Sequence, residues 1–188
     1  MIVHQQKKIG GETFRCVITD DEIKSKIKLC ASEIIEKHRK DKAPPVLLSV
    51  LMGGLYFTAE LSQYLADSNF PHEIDAIRIK SYTKDEKAQA VEWISKPLNN
   101  LSHRNVIIVE DVIDKGNSMN FVYEELKMYY PVTIETAALI VKKGHSFKQT
   151  ITYSCFEGEY GWITGKGLDT LCDGYSLGRG DRDICEKM

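Results

Sequence analysis

The stretch Val106-Ile107-Ile108-Val109-Glu110-Asp111-Val112-Ile113-Asp114-Lys115-Gly116-Asn117-Ser118 constrains the fold of this chain more than any other. Its first four residues are β-branched throughout, a composition that suits a strand covered on both faces. Glu110 and Asp111 fall at the C-terminal end of that run. In open α/β sheets that edge is where ligands bind. Gly116 allows a tight turn, and Met119 to Tyr129 reads as the helix that follows. A loop bending into a helix N-terminus aims several N–H groups at one point and favours a phosphate. Glu110 and Asp111 can accept hydrogen bonds from a ribose diol while the helix N-terminus holds its 5′-phosphate. A buried strand ending in a solvated acidic turn would carry the same residues, and spacing alone leaves both readings open.

The rest of the chain alternates between helix and strand patterns. Thr19-Asp20-Asp21-Glu22 fits a capping box, and Ile23, Ile27, Cys30, Ile34 and Ile35 recur at helical spacing, so Asp20 to Arg39 is an amphipathic helix. Pro44-Pro45 precedes a buried strand from Val46 to Leu51, and Gly53-Gly54 turns the chain into a helix near Leu55 to Ala66. His72 to Tyr82 is strand-like. Thr83 to Lys96 is polar and has no clear period, which suits a mobile loop or a weak hairpin. Thr133 to Val141 is a further strand, and Ile151 to Phe156 and Tyr160 to Thr164 are short ones. This order predicts an α/β fold with a mostly parallel, doubly wound sheet flanked by helices.

Composition excludes several classes. A chain of 188 residues suits one domain, or a core with a small hood. The net charge of −2 gives no electrostatic reason to expect nucleic acid or an anionic membrane. No apolar run reaches the roughly 20 residues that span a bilayer. The first residues, Met1 to Lys8, lack the apolar core of a signal peptide. The five cysteines are scattered without Cys-x-x-Cys spacing, which argues against structural zinc and for reduced thiols in the cytoplasm.

The central stretch resembles the phosphoribosyl-pyrophosphate motif of type I phosphoribosyltransferases. That motif has four aliphatic residues, Glu-Asp, two aliphatics, Asp, and a short turn ending in Ser or Thr. Lys115 stands where the family usually has Thr. Within the family the chain is most similar to hypoxanthine-guanine phosphoribosyltransferases, with the resemblance running over roughly residues 45 to 185. It implies a core of about residues 20–155, with residues 1–19 and 156–188 together forming a hood.

The resemblance also implies roles, position by position. Glu110 and Asp111 would hold the ribose diol, and Lys115, Gly116, Asn117 and Ser118 the 5′-phosphate. Asp114 would be the general base near purine N7. Leu51-Met52-Gly53-Gly54 matches a pyrophosphate loop that often holds a non-proline cis bond between its first two residues. Met52 replaces the usual Lys or Arg there. Lys80-Ser81-Tyr82 looks like the Ser-Tyr pair of a flexible catalytic loop. Lys142 would donate to the purine 6-oxo group, and Trp162-Ile163 fits the position where an aromatic stacks on the base. Gly167-Leu168-Asp169 would place a carboxylate near Mg²⁺ and the purine 2-position. Arg179, or alternatively Arg182, would meet pyrophosphate.

The implied reaction joins phosphoribosyl pyrophosphate and a 6-oxopurine, hypoxanthine or guanine, in a homodimeric or homotetrameric pentosyltransferase. A non-catalytic nucleotide-sensing regulator of the same fold is the alternative. Asp114, Lys142 and Asp169 favour the enzyme, because a pure regulator needs no general base. A phospho-acceptor signalling domain would carry its acidic pair after the first strand. A dehydrogenase would carry Gly-x-Gly-x-x-Gly there.

Overall fold

A strand that is apolar on both faces needs cover on both, and this chain supplies it with three helices. The computed structural model describes residues 5–85 and 88–188. In chain order the elements are β1 (Gln6–Ile9), β2 (Glu12–Ile18), α1 (Asp20–His38), β3 (Val46–Leu51), α2 (Gly54–Asp67), β4 (Glu73–Asp85), β5 (Ala88–Ser95) and β6 (Asn105–Ile113). They continue with α3 (Asn117–Leu126), β7 (Thr133–Lys142), β8 (Tyr153–Gly158), β9 (Ile163–Thr164), β10 (Thr170–Cys172), β11 (Tyr175–Leu177) and β12 (Ile184–Lys187). Thr19 caps α1 in a capping box: its backbone N–H donates to Glu22 Oε2 at 2.9 Å, and its hydroxyl accepts from the Glu22 N–H.

The larger sheet runs β5-β4-β3-β6-β7-β8 and is parallel except at β5, which pairs antiparallel at one edge. Alternation of side chains decides which helix covers which face. Leu47 of β3 and Ile107 and Val109 of β6 pack among Ile23, Ile27 and Ile34 of α1 and Phe57, Leu61 and Leu65 of α2. The intervening Val46, Leu48, Val106 and Ile108 pack with Met119, Val122 and Leu126 of α3. Each such side chain contributes about 1.5–3 kcal/mol on burial. The mostly parallel sheet flanked by helices that the sequence predicts is the observed one.

A second sheet, β1-β2-β12-β9, joins both ends of the chain. β12 lies between β2 and β9, antiparallel to each. Several details differ from the sequence expectations. β6 does not end at Val109: Glu110, Val112 and Ile113 stay paired with β7 after β3 has stopped pairing at Val109. Of the two readings of Thr83 to Lys96, the hairpin is the one found, with β4 and β5 paired from Arg78↔Ser95 to Asp85↔Ala88. The strand expected from Tyr160 shrinks to Ile163–Thr164. The expectation of five reduced thiols is corrected for one pair, because Cys16 of β2 and Cys185 of β12 face each other across the sheet and are joined as a disulfide. Cys30, Cys155 and Cys172 are free and buried.

A buried polar cluster ties α1 to β7 and β8 at the end of the sheet opposite the strand C-termini. His38 Nδ1 lies 2.7 Å from Asp41 Oδ2, and its Nε2 lies 3.2 Å from Glu135 Oε2. Tyr153 donates to the same Glu135 oxygen at 2.8 Å, and Lys37 pairs with its other oxygen at 3.0 Å. The hydrogen bond to Glu135 raises the His38 pKa, against burial, and Asp41 adds to the rise. Burial alone would raise the Glu135 carboxyl, but hydrogen bonds from His38, Tyr153 and Lys37 outweigh it and bring it down to about 2.

The imidazolium's contribution to stability is therefore complete below its unfolded pKa of about 6.5 and disappears as pH rises through the higher folded value. Thermal unfolding scanned from about pH 6 to about pH 9 should show an alkaline fall in Tm that is weaker in His38→Gln. At neutral pH that substitution should cost about 1–3 kcal/mol. Identical pH profiles for the two proteins would remove His38 as the source.

Candidate active site

Three strand ends and one C-terminal turn converge on a cleft of about 620 Å³. At the end of β3 the Leu51–Met52 peptide is cis, and Gly53 leads into α2. The loop lies directly on β6. A Cβ at Gly53 would collide with the Asp111 carboxylate, and one at Gly54 would come within 2.5 Å of the Val109 carbonyl oxygen.

Because β6 continues past them, with Glu110 and Val112 paired to β7 on either side of Asp111, Glu110 and Asp111 are only 8% and 7% exposed. The Asp111 N–H donates to Glu110 Oε1 at 3.1 Å, and the Val112 N–H donates to Asp111 Oδ1 at 2.7 Å. Burial pushes the Glu110 carboxyl well above the usual carboxylate range, and the adjacent Asp111 pushes it the same way. Burial also raises Asp111, with Glu110, the Val112 N–H and Arg179 acting against it. Two adjacent buried acids with few donors are poised for a ligand that brings hydroxyl groups or positive charge.

Beyond β6 the chain turns at Gly116, whose φ of 83° caps α3 in the left-handed region. A Cβ there would press on the Phe147 backbone nitrogen at 2.6 Å. The backbone N–H and hydroxyl of Ser146 both donate to the Lys115 carbonyl, at 3.0 and 2.7 Å. Asn120 fastens the same strap, donating to the Ser146 carbonyl and accepting from the Lys148 N–H. With that carbonyl held on the strap side and no acidic residue in the first turn of α3, the helix N-terminus is left attractive to an anion. A cavity of about 370 Å³ lies along this segment, lined by residues 110 to 119.

Opposite stands the C-terminal segment. Lys142, at the end of β7, donates to the Gly161 carbonyl at 2.7 Å and lies 3.8 Å from Asp114 Oδ2. Trp162 donates its indole N–H to Thr170 Oγ1 at 3.1 Å, is 55% exposed and lines the cleft. Arg179 pairs with Asp169 Oδ2 at 2.8 Å and donates to the Gly167 carbonyl. Ser176 donates to the same Asp169 oxygen, so Asp169 Oδ1 carries no hydrogen bond among the described residues.

A family model described as phosphoribosyl transferase domain matches residues 18–170. The chain belongs to the phosphoribosyl transferase family. A hypoxanthine-guanine phosphoribosyltransferase of Crithidia fasciculata is 28% identical over 177 residues, covering 91% of this chain and 83% of the relative. The one from Mus musculus is 37% identical over 132 residues, covering 66% of this chain and 61% of the relative. A hypoxanthine phosphoribosyltransferase from Trypanosoma cruzi, solved in complex with the product IMP, superposes with a TM-score of 0.82 at 26% identity, over 99% of this chain and 95% of that one.

Within this family member the cleft brings together Met52, Gly53, Glu110, Asp111, Asp114 and Ser118 from one side. From the other it brings Lys142, Trp162, Ile163, Asp169 and Arg179. Lys115, Gly116 and Asn117 line the adjoining cavity. Arg182 is exposed and lines neither. Ser81 and Tyr82 lie on β4, and their side chains fall outside the described residues. The sequence reading passed over Ile79 and Leu168, which line the cleft, and Ser176, which buttresses Asp169 and Arg179. Leu168 sits inside the motif that was recognised, whereas no spacing or composition marks Ser176.

The Gly53–Asp111 contact sets a test. Gly53→Ala must push the loop off β6 or rotate Asp111, and overpacking of this kind costs about 1–3 kcal/mol. Thermal unfolding should register that loss. A Gly53→Ala protein as stable as the parent would mean that the loop rises from β6 freely.

Proposed function

We propose that this protein is a purine-salvage hypoxanthine-guanine phosphoribosyltransferase. It transfers the 5-phosphoribosyl group from phosphoribosyl pyrophosphate to hypoxanthine or guanine, giving IMP or GMP and pyrophosphate. One observation carries this reading: a buried acid pair and a lysine beside an exposed tryptophan line one cleft, and a helix N-terminus with no acidic residue in its first turn lines the cavity that adjoins it. The family match and the IMP-bound relative support it.

Loss of pyrophosphate leaves oxocarbenium character at the anomeric carbon. Glu110 and Asp111 accept hydrogen bonds from the ribose diol, which favours their ionised forms, and their charge then stabilises the developing cation. The backbone of Lys115, Gly116 and Asn117, with the Ser118 N–H and hydroxyl, holds the 5′-phosphate. The loop at Met52 and Gly53, together with Arg179, holds pyrophosphate. Trp162 stacks on the purine with Ile163 behind it, and Lys142 donates to the 6-oxo oxygen. Asp114 accepts the proton from N7. Ser81 and Tyr82 belong to a segment that closes over the reactants and excludes water.

Magnesium prefers oxygen ligands, keeps several waters, and needs only one or two carboxylates beside substrate phosphates. Asp169, with one oxygen free of hydrogen bonds among the described residues, fits that requirement. When bound, the ion offsets charge on the leaving pyrophosphate. The same reading makes the protein a cytoplasmic homo-oligomer, dimeric or tetrameric, with a core of about residues 20–155 under a hood built from both chain ends.

The direct test is turnover with phosphoribosyl pyrophosphate, Mg²⁺ and each purine in turn. Tight nucleotide binding without turnover would sink the enzymatic reading and favour a regulator. Asp114→Asn should lower kcat by roughly 10²–10⁴-fold while calorimetry shows phosphoribosyl pyrophosphate binding intact. A change below about threefold would make Asp114 a phosphate-loop residue and not the base.

Adenine should be a poor substrate. The Lys142 ammonium can donate to a 6-oxo oxygen but cannot accept from a 6-amino group, and an unmade bond at a desolvated donor costs on the order of 1–3 kcal/mol. Comparable kcat/KM for adenine and hypoxanthine would contradict the assignment. So would unchanged hypoxanthine kinetics in Lys142→Met.

A further inference from the structure

Gly165, Lys166 and Gly167 take three successive positive φ angles, 105°, 53° and 105°. Glycine adopts such angles readily, but lysine does so only where its surroundings enforce them. The turn is closed by reciprocal backbone hydrogen bonds between Gly165 and Leu168, at 3.0 and 3.1 Å, and the Lys166 side chain anchors it from behind. Lys166 is 8% exposed, the one lysine buried among the described residues. Its ammonium pairs with Glu60 of α2 and lies 3.5 Å from Asp20 Oδ1 at the start of α1. Asp20 has a second partner in Lys24, at 2.6 Å, whereas Glu60 pairs only with Lys166 among the described residues.

The backbone of the same turn contacts Arg179 and Gly53, which line the cleft. The Lys166 N–H donates to the Asp181 carbonyl at 2.7 Å, and the Gly167 N–H donates to the Arg179 carbonyl at 3.0 Å. The Gly167 carbonyl accepts in return from the Arg179 guanidinium. A Cβ at Gly167 would collide with the Gly53 carbonyl oxygen. One rigid turn therefore has a buried cation behind it, and Arg179 and the Gly53 loop in front.

We propose that Lys166 is a positioning residue for the pyrophosphate end of the cleft. It holds the turn in its left-handed form, so that the Gly167 carbonyl fixes the Arg179 guanidinium and the Gly53 loop keeps its place. This rests on the phosphoribosyltransferase reading given above. Lys166 touches neither reactant; it acts through Gly167. Removing the ammonium releases the turn and leaves the half-buried Glu60 without a counter-charge, which by itself threatens folding. The informative variant therefore removes both charges, Lys166→Met with Glu60→Gln.

For that double variant, thermal unfolding should stay near the parent. KM for phosphoribosyl pyrophosphate should rise roughly 10-fold, short of the ~100-fold that a misplacement of 1 Å can cause. KM for hypoxanthine should move less than about twofold, since Lys142 and Trp162 are untouched. Calorimetry with Mg²⁺ and inorganic pyrophosphate should show the affinity falling in parallel. An equal loss for both substrates would indicate general loosening and overturn the proposal. So would a pyrophosphate affinity within twofold of the parent, or a double variant that does not fold, which would make Lys166 a stability element. A parent protein without turnover would sink the enzymatic reading, and the pyrophosphate calorimetry would still decide the role of Lys166.

Discussion

The site depends on close approaches that only a residue without a side chain allows. Gly53 lies on the Asp111 carboxylate, Gly54 on the Val109 carbonyl, and Gly167 on the Gly53 carbonyl. The loop after β3, the strand β6 and the C-terminal turn are thus stacked through positions where a Cβ cannot fit. Close approach of this kind is what glycine permits, at an entropic cost that the sheet must offset. It does so by burying β3 and β6 on both faces, which makes the strands rigid enough to act as a reference. Gly116 repeats the device on the far side, where a Cβ would strike the Phe147 backbone.

Buried charge is handled differently at the two ends of the sheet. At the N-terminal edge His38 sits between two carboxylates, and Glu135 gathers three donors, so the charges are matched within the protein. At the C-terminal edge Glu110 and Asp111 have the same sign, are adjacent, and gain few donors. Both clusters hold shifted pKa values, so a shift alone does not mark a binding site. The sign of the imbalance does: a matched cluster fastens elements together, while an unmatched acid pair gains stability only when a donor or cation arrives.

The parts of the fold legible in the sequence are those written locally. The capping box at Thr19, the β-branched run of β6 and the glycines after β3 each depend on neighbours within a few residues, and each sits where the pattern implies. The sheet β1-β2-β12-β9 left no such trace. Its short strands pair the two chain ends, and Cys16 and Cys185 lie 169 positions apart, so nothing within a local window identifies their partners. The β4–β5 hairpin is only half legible, as one of two readings, because β5 mixes Gln89 and Glu92 with Ala90, Val91, Trp93 and Ile94 and gives no clean alternation. Arg179 and Arg182 look alike within Gly178 to Arg182. What separates them is tertiary, the contact of Arg179 with Asp169 and the Gly167 carbonyl. Lys166 was invisible for a related reason: a lysine between glycines is by default solvated, and only the packing of α1 and α2 gives it buried partners.

The two departures from the family pattern, Met52 and Lys115, fall where backbone and not side chain sets the geometry. Met52 is 42% exposed, at one end of the cis peptide before Gly53, and the contact of that loop with β6 is made by glycines. Lys115 is exposed, and its fixed feature is the carbonyl held twice by Ser146, which any residue at that position would offer. On the proposed reading both positions meet anions through N–H groups, which every residue but proline carries. A cationic or hydroxyl side chain would add a contact without creating the cradle. This separation between a backbone that forms the site and side chains that tune it explains how a chain can diverge at such positions and keep the architecture around them.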